Sequence, residues 1–287
     1  MKRLKVFYLF ITILLSGIMF SCGNTIPGDD SGSSSSGSNG SNNLSKGQIE
    51  IKVYPDANNR VSFTAITQTI KIDWGDSSVD DLTPNGVSNN FPHTYSNQNL
   101  QTVKVNTEGM TFFSAGSPFS LHSFQELRFG NCPELKSIGC SQQKLTVLDV
   151  SKCTALTDLS CGDPNLSPSN QLTNNQLTNL DVSKCTALIN LSCRNNKLTS
   201  LDVSKCTALI MLYCDRNKLT SLDVSKCTAL SILYCSSNQL SASALNSLFN
   251  SLPTRKSEDK AIIYCGNNPG FDTCDKTIAT KKGWTVS

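Results

Sequence analysis

A repeat of 21 residues runs through the C-terminal half of this chain. Leu209, Leu212, Cys214, Asn217, Leu219, Leu222, Val224 and Cys227 recur one period earlier as Leu188, Leu191, Cys193, Asn196, Leu198, Leu201, Val203 and Cys206. The next copy begins Leu230, Leu233, Cys235, Asn238 and Leu240. Toward the N-terminus, Leu156, Leu159 and Cys161 open a copy with an 11-residue insertion near residues 165–174, and Leu135, Ile138, Cys140, Leu145, Leu148, Val150 and Cys153 form the copy before it. A unit this short cannot bury its own leucines, so successive copies must stack and share one core.

The template Leu-x-x-Leu-x-Cys-x-x-Asn-x-Leu resembles the leucine-rich-repeat family, and its length with Cys at a strand position resembles the internalin-like, cysteine-ladder variety. The resemblance implies a solenoid with parallel strands on its concave face, with repeats over residues 135–250 and a terminal repeat and helical cap over 251–287. Leu245, Leu248, Phe249 and Leu252 stand at helical spacing ahead of Pro253, which predicts a helix over residues 243–252. A last strand is expected over 261–265, with Asn268 again three residues after Cys265. A closing helix is expected over 272–282, ended by Gly283, with Trp284 covering the open end of the core.

Eleven cysteines fall into two columns set by the period, Cys140, Cys161, Cys193, Cys214, Cys235 and Cys265 in one and Cys132, Cys153, Cys185, Cys206 and Cys227 in the other. Stacked turns hold such residues about 4.8 Å apart with parallel side chains, wider than the Cβ separation of about 3.8 Å in a disulfide. A ladder of buried thiols is the simpler expectation. Cys274 lies outside both columns, either to pair with Cys265 or to pack under the cap. No Cys-x-x-Cys pair accompanies a nearby His, so no metal site and no cofactor are expected.

The N-terminal half has a different organisation. Lys2, Arg3 and Lys5 precede an uncharged run over residues 6–20, which reads as a signal peptide over residues 1–21. The run is too short to span a bilayer. Met19, Phe20 and Ser21 before Cys22 resemble a bacterial lipoprotein processing site, which implies lipidation of Cys22; ordinary cleavage nearby and an uncleaved anchor are the alternatives. Residues 23–47 are rich in Ser, Gly and Asn and read as a flexible tether.

Residues 48–113 carry period-2 alternation, as in Ile49, Ile51 and Val53 or Ile70, Ile72 and Trp74, the mark of half-buried strands. Trp74, Gly75 and Asp76 together with His93, Thr94 and Tyr95 resemble a PKD-like β-sandwich, although Ser77 stands where that family has Gly. Trp74 is expected to fill the core while Gly75 and Asp76 turn the chain. Residues 114–134 are expected to be a flank or cap of the solenoid.

The signals for chemistry are sparse. Asp149, Asp181, Asp202 and Asp223 recur once per copy, which marks them as turn structure, and neither His93 nor His122 has a nucleophile near it in sequence. No catalytic residues are expected. Loss of Lys2, Arg3 and Lys5 with the signal leaves basic and acidic residues equal at 22, which argues against nucleic acid.

A ligand would meet the outward strand positions, which vary between copies. Just before each Cys the series runs Gly139, Ser160, Ser192, Tyr213, Tyr234, Tyr264; two residues earlier it runs Ser137, Asp158, Asn190, Met211, Ile232, Ile262. The last three strands thus present Met211, Tyr213, Ile232, Tyr234, Ile262 and Tyr264, with Arg194 and Arg216 at the rim, unless the cap covers them. The expected function is protein-binding adhesion or recognition from the bacterial cell envelope, with the chain lipid-anchored and exposed on the outer membrane. Carbohydrate binding is the alternative, and an enzyme is the third class.

Overall fold

The computed structural model describes residues 44–115, 123–162 and 175–287. The signal peptide, Cys22, nearly all of the tether, His122 and the insertion near residues 165–174 lie outside the described residues. Among the described residues no helix is long and apolar enough to cross a membrane.

The first part is a β-sandwich built from β1 (Gln48–Tyr54), β2 (Arg60–Ile66), β3 (Thr69–Asp73), β4 (Val79–Leu82), β5 (Ser88–Thr94), β6 (Gln101–Glu108), β7 (Phe112–Ser114) and β8 (Ser123–Phe129). β8-β1-β6-β3-β4 form one face, and β7-β2-β5 the other. Period-2 alternation drives this arrangement. Ile49, Ile51 and Val53 of β1 and Val61, Phe63 and Ala65 of β2 are all buried, while the residues between them meet solvent.

Trp74 is buried as expected; its Nε1 donates to Asp80 Oδ2 at 2.9 Å. Gly75 makes the turn with φ +84°, and a Cβ there would lie 2.6 Å from the Thr102 carbonyl oxygen. The segment expected as a flank, 114–134, supplies β8, which pairs antiparallel with β1 and buries Phe124, Leu127 and Phe129.

The second part is a leucine-rich-repeat solenoid. Its short strands β9 (Ser137–Gly139), β11 (Asp158–Ser160), β12 (Asn190–Ser192), β13 (Met211–Tyr213), β14 (Ile232–Tyr234) and β15 (Ile262–Tyr264) pair in parallel and in register, and β16 (Thr285–Val286) closes the row. The middle residue of each strand points into the core and its neighbours point out, so Leu159, Leu191, Leu212, Leu233 and Ile263 are buried. One further strand, β10 (Val147–Asp149), lies on the opposite side and pairs with β8.

The recurrent Asn is the device that locks one turn to the next. Asn217 Nδ2 donates to the carbonyls of Cys193 and Cys214 at 3.0 and 3.1 Å, and its Oδ1 accepts from Leu198 N at 3.0 Å. Asn196, Asn238 and Asn268 repeat the pattern, and Asn175 restores it after the insertion by bonding the carbonyls of Cys140 and Cys161. Each side chain therefore satisfies buried backbone groups in two turns.

Both cysteine columns are buried, and their thiols are free. In the second column Cys185, Cys206 and Cys227 point Sγ at the carbonyls of Val150, Val182 and Val203, at 3.5, 3.7 and 3.5 Å. Burial pushes these thiols up, Cys206 to about 12 and Cys227 to about 11, and Cys193, Cys214 and Cys235 go well above the usual range. Neutral thiols of this kind pack as small apolar groups and are poor nucleophiles. Cys274 is half-buried under the cap, with Sγ directed at the Phe271 carbonyl at 3.3 Å, and it and Cys265 are unpaired.

The cap helix α1 (Ala242–Ser251) starts one residue before its expected position, because Ser241 is the residue whose hydroxyl caps Ala244 N. It buries Leu245, Leu248 and Phe249. The expected closing helix is reduced to α2 (Thr277–Thr280). The residues before it are spent on turns: Cys274 N bonds to Gly270 O, and Asp275 Oδ1 accepts from Thr277 N. Trp284 seals the core at 2% exposure, with Nε1 donating to Pro253 O.

Candidate functional site on the concave face

Because the strands are in register, residues one period apart stand side by side on the concave face. Tyr213, Tyr234 and Tyr264 form a continuous stack, with ring centroids 4.9 and 4.2 Å apart and interplanar angles of 27° and 20°. Met211, Ile232 and Ile262 line up beside them in the same three strands. All six side chains are half-buried. The cap does not cover them, since β16 extends the sheet beyond β15 and Trp284 turns into the core.

Burial, first of all, raises the Tyr213 phenol, and burial followed by the Tyr264 hydroxyl pushes that of Tyr234 up to about 12. Both remain protonated donors at neutral pH. Tyr213 OH is turned toward Met211 Sδ at 3.7 Å.

Arg194 differs from its expected place at the rim. It is 7% exposed, lying with its Cζ 5.3 and 5.6 Å from the ring centroids of Tyr213 and Tyr234. Nε donates to Asp215 Oδ1 at 3.0 Å, and Nη2 lies 2.9 Å from the same oxygen, at an angle that makes an ion pair without a second hydrogen bond. Gly162 makes this burial possible, since a Cβ there would lie 2.5 Å from Arg194 N and 2.8 Å from its Cγ. Sequence spacing placed Arg194 beside the tyrosines but carried no sign that the charge is enclosed.

Arg216 is not brought into this cluster. It occupies the left-handed turn position of its repeat, at φ 56°, as Asn195, Ser237 and Asn267 do in theirs, and it is exposed. Its place is in the turn, two residues after Cys214, and not in the strand that carries Tyr213.

Ile189 and Ile210, each immediately before a strand, are exposed as well. Sequence reading passed over them, although a signal was present: the residue before each strand is Lys136 or Thr157 in earlier turns and Ser231 in a later one. Toward β9 and β11 the face becomes small and polar. Ser141 and Ser160 share a hydrogen bond at 3.1 Å, and Asn190 Nδ2 donates to Asp158 Oδ1.

Other groups have structural roles. Asp149, Asp181, Asp202 and Asp223 each accept from the backbone N–H two residues ahead, the turn role expected of them. His93, which has no nucleophile near it in sequence, meets one in space: Ser78 Oγ lies 3.4 Å from its Nε2. Asp76 Oδ2 lies 2.8 Å from that same nitrogen, and Ser78 Oγ donates to Asp76 Oδ1. A hydroxyl directed at the carboxylate, with both groups on one ring nitrogen, does not fit the relay in which His links an acid to a nucleophile through opposite nitrogens. Trp74 stacks on His93 at 4.6 Å, and the group braces the end of the sandwich. Among the described residues no cluster of three or more His, Cys, Asp or Glu is gathered as a metal site would need.

No protein-family profile matches the chain, and no curated protein matches it. Among solved structures it is similar to the functional domain of InlJ from Listeria monocytogenes, described as including a cysteine ladder, at 34% identity and a TM-score of 0.34. That match covers 52% of this chain and 33% of the other. It is also similar to an internalin, InlF, from the same organism, at 20% identity and a TM-score of 0.28, over 50% of this chain and 54% of that one. The chain thus spans about a third of the first and about half of the second.

Proposed function

We propose that this chain is a protein-recognition module that engages its partner through the concave face of strands β13–β15 and is displayed from a bacterial envelope by a lipid on Cys22. The observation that carries this reading is the patch itself. Met211, Ile232, Ile262 and three tyrosines are gathered on an uncovered sheet face, against a concave surface that is otherwise small and polar. Aromatic and aliphatic anchors of this kind supply most of the affinity in protein interfaces. The PKD-like sandwich and the surface location belong to the same proposal and rest on the sequence motifs.

The stacking geometry favours protein over glycan. Sugars are gripped by open aromatic faces, whereas here the faces between Tyr213 and Tyr234 and between Tyr234 and Tyr264 are occupied by each other. What the row offers is ring edges and hydroxyls. At His93 the acid, the imidazole and the hydroxyl do not line up as a relay, so this cluster does not support an enzymatic reading.

The test is binding of the protein lacking residues 1–22 to panels of purified surface proteins and to glycan arrays. A Tyr213→Ser, Tyr234→Ser, Tyr264→Ser variant with an unchanged circular dichroism spectrum serves as the comparison. A protein ligand whose affinity falls at least about tenfold in the variant is expected, the equivalent of roughly 1.4 kcal/mol. Ligands found only among glycans, or a protein ligand held equally by the variant, would overturn the proposal.

A further inference from the structure

The hydrogen bonds that join one solenoid turn to the next obey a fixed rule. At the start of β11, β12, β13 and β14 two successive N–H groups share one carbonyl of the preceding turn: Thr157 and Asp158 bond to Lys136 O, Ile189 and Asn190 to Thr157 O, Ile210 and Met211 to Ile189 O, Ser231 and Ile232 to Ile210 O. At the end of each strand the Cys N–H bonds forward, Cys140 to Ser160 O, Cys161 to Ser192 O and Cys193 to Tyr213 O.

The same rule holds across the junction with the sandwich. Lys136 and Ser137 share the carbonyl of Thr111, and Ala115 N bonds forward to Gly139 O at 2.7 Å. Thr111, Phe113 and Ala115 therefore occupy the places that Lys136, Ile138 and Cys140 hold one turn later. Phe113 and Ala115 are 0% and 4% exposed, as buried as the residues they stand for. On the opposite side β8 does likewise: Leu127 pairs with Leu148 in parallel register, and Phe129 and Cys132 fill the core positions of Val150 and Cys153.

Yet β7 and β8 are also sandwich strands, since β7 pairs with β2 and β8 with β1. The six-stranded and ten-stranded sheets of the molecule each run through this junction without a break. We infer that β7 and β8 are a turn zero of the solenoid held in shape by the sandwich, which makes the sandwich the N-terminal cap and folding template of the repeats and not an independent spacer. An array with an open first turn would expose Ile138, Leu135 and an unpaired strand edge, and a solenoid needs such an end covered.

The cysteines provide reporters turn by turn. In a urea titration of the full chain, alkylation of Cys132 and Cys140 is followed by mass spectrometry together with amide exchange over β3 and β6, and Cys265 serves as the distal reference. Cys132 and Cys140 are expected to become reactive over the urea range in which β3 and β6 lose protection. Ile72→Ala, which lies in β3 away from the junction, should lower both midpoints by the same amount. If that variant does not fold, Cys132 and Cys140 should react without urea. Should these two thiols stay protected after β3 and β6 have opened, in either protein, the sandwich is a separable domain and the inference fails.

Discussion

In the sandwich, Phe63 meets Trp74, Phe91 and Phe113 at centroid distances of 5.9, 5.4 and 5.5 Å, a set of contacts particular to that point. In the solenoid, Asn196, Asn217 and Asn238 make one set of contacts again and again, each bonding the Cys carbonyl of its own turn and of the turn before. The difference decides how function can be recognised. A repeat carries its own reference, so Tyr213, Tyr234 and Tyr264 are conspicuous against Gly139, Ser160 and Ser192 at the same position. The sandwich supplies no such standard, and in its His93 cluster only the geometry distinguishes a structural brace from a relay.

The largest effect is expected from Phe63→Ala, which empties a fully buried aromatic site and should cost about 4 kcal/mol in urea denaturation. Asn217→Ala leaves the Leu198 N–H and the carbonyls of Cys193 and Cys214 without that partner, and should cost about 3 kcal/mol in the same assay. A loss under about 1 kcal/mol would mean that stacked leucines alone hold the turns together.

A pH titration separates the two regions more finely. The Ser78 hydroxyl chiefly, helped by His93 and opposed by partial burial, holds the Asp76 carboxyl at about 2 against an ordinary 3.8. The native state therefore favours the charged form. Its stabilising contribution is complete above the ordinary value and is lost as pH falls from there through about 2. Thermal melts between those limits should show a slope that Asp76→Asn reduces; an equal slope in the variant would assign the acid sensitivity elsewhere.

The smallest effects are gains. Ser77 is held at φ 76° and Arg216 at φ 56°, both left-handed conformations that a side chain resists. Ser77→Gly and Arg216→Gly should each raise stability by up to about 1 kcal/mol. The second should leave ligand affinity unchanged if Arg216 stands outside the patch, and a loss of binding would return it to the site.

Much of this architecture was legible because a fixed period converts sequence distance into position. The two thiol columns, the ladder asparagines and the stacked tyrosines all followed from counting. Two things escaped. Phe113 and Ala115 look nothing like the Leu and Cys they stand in for, so turn zero was hidden inside a strand pattern that also suits a sandwich. Arg194 is enclosed by virtue of Gly162, 32 residues earlier, and Asp215, 21 later, a combination that no local pattern announces.

The asparagine ladder has one more consequence. Every turn hands the next the same carbonyls and the same waiting N–H, so the array has no preferred copy number. Inserting or deleting one whole period recreates the asparagine bonds at the new seam, and extra residues are tolerated where the next Asn still reaches both carbonyls, as Asn175 does after the insertion and Asn268 after the cap helix. Such a chain can lengthen or shorten its reach by duplication without a new core being invented, and is free to diversify the few outward positions on which partner choice depends.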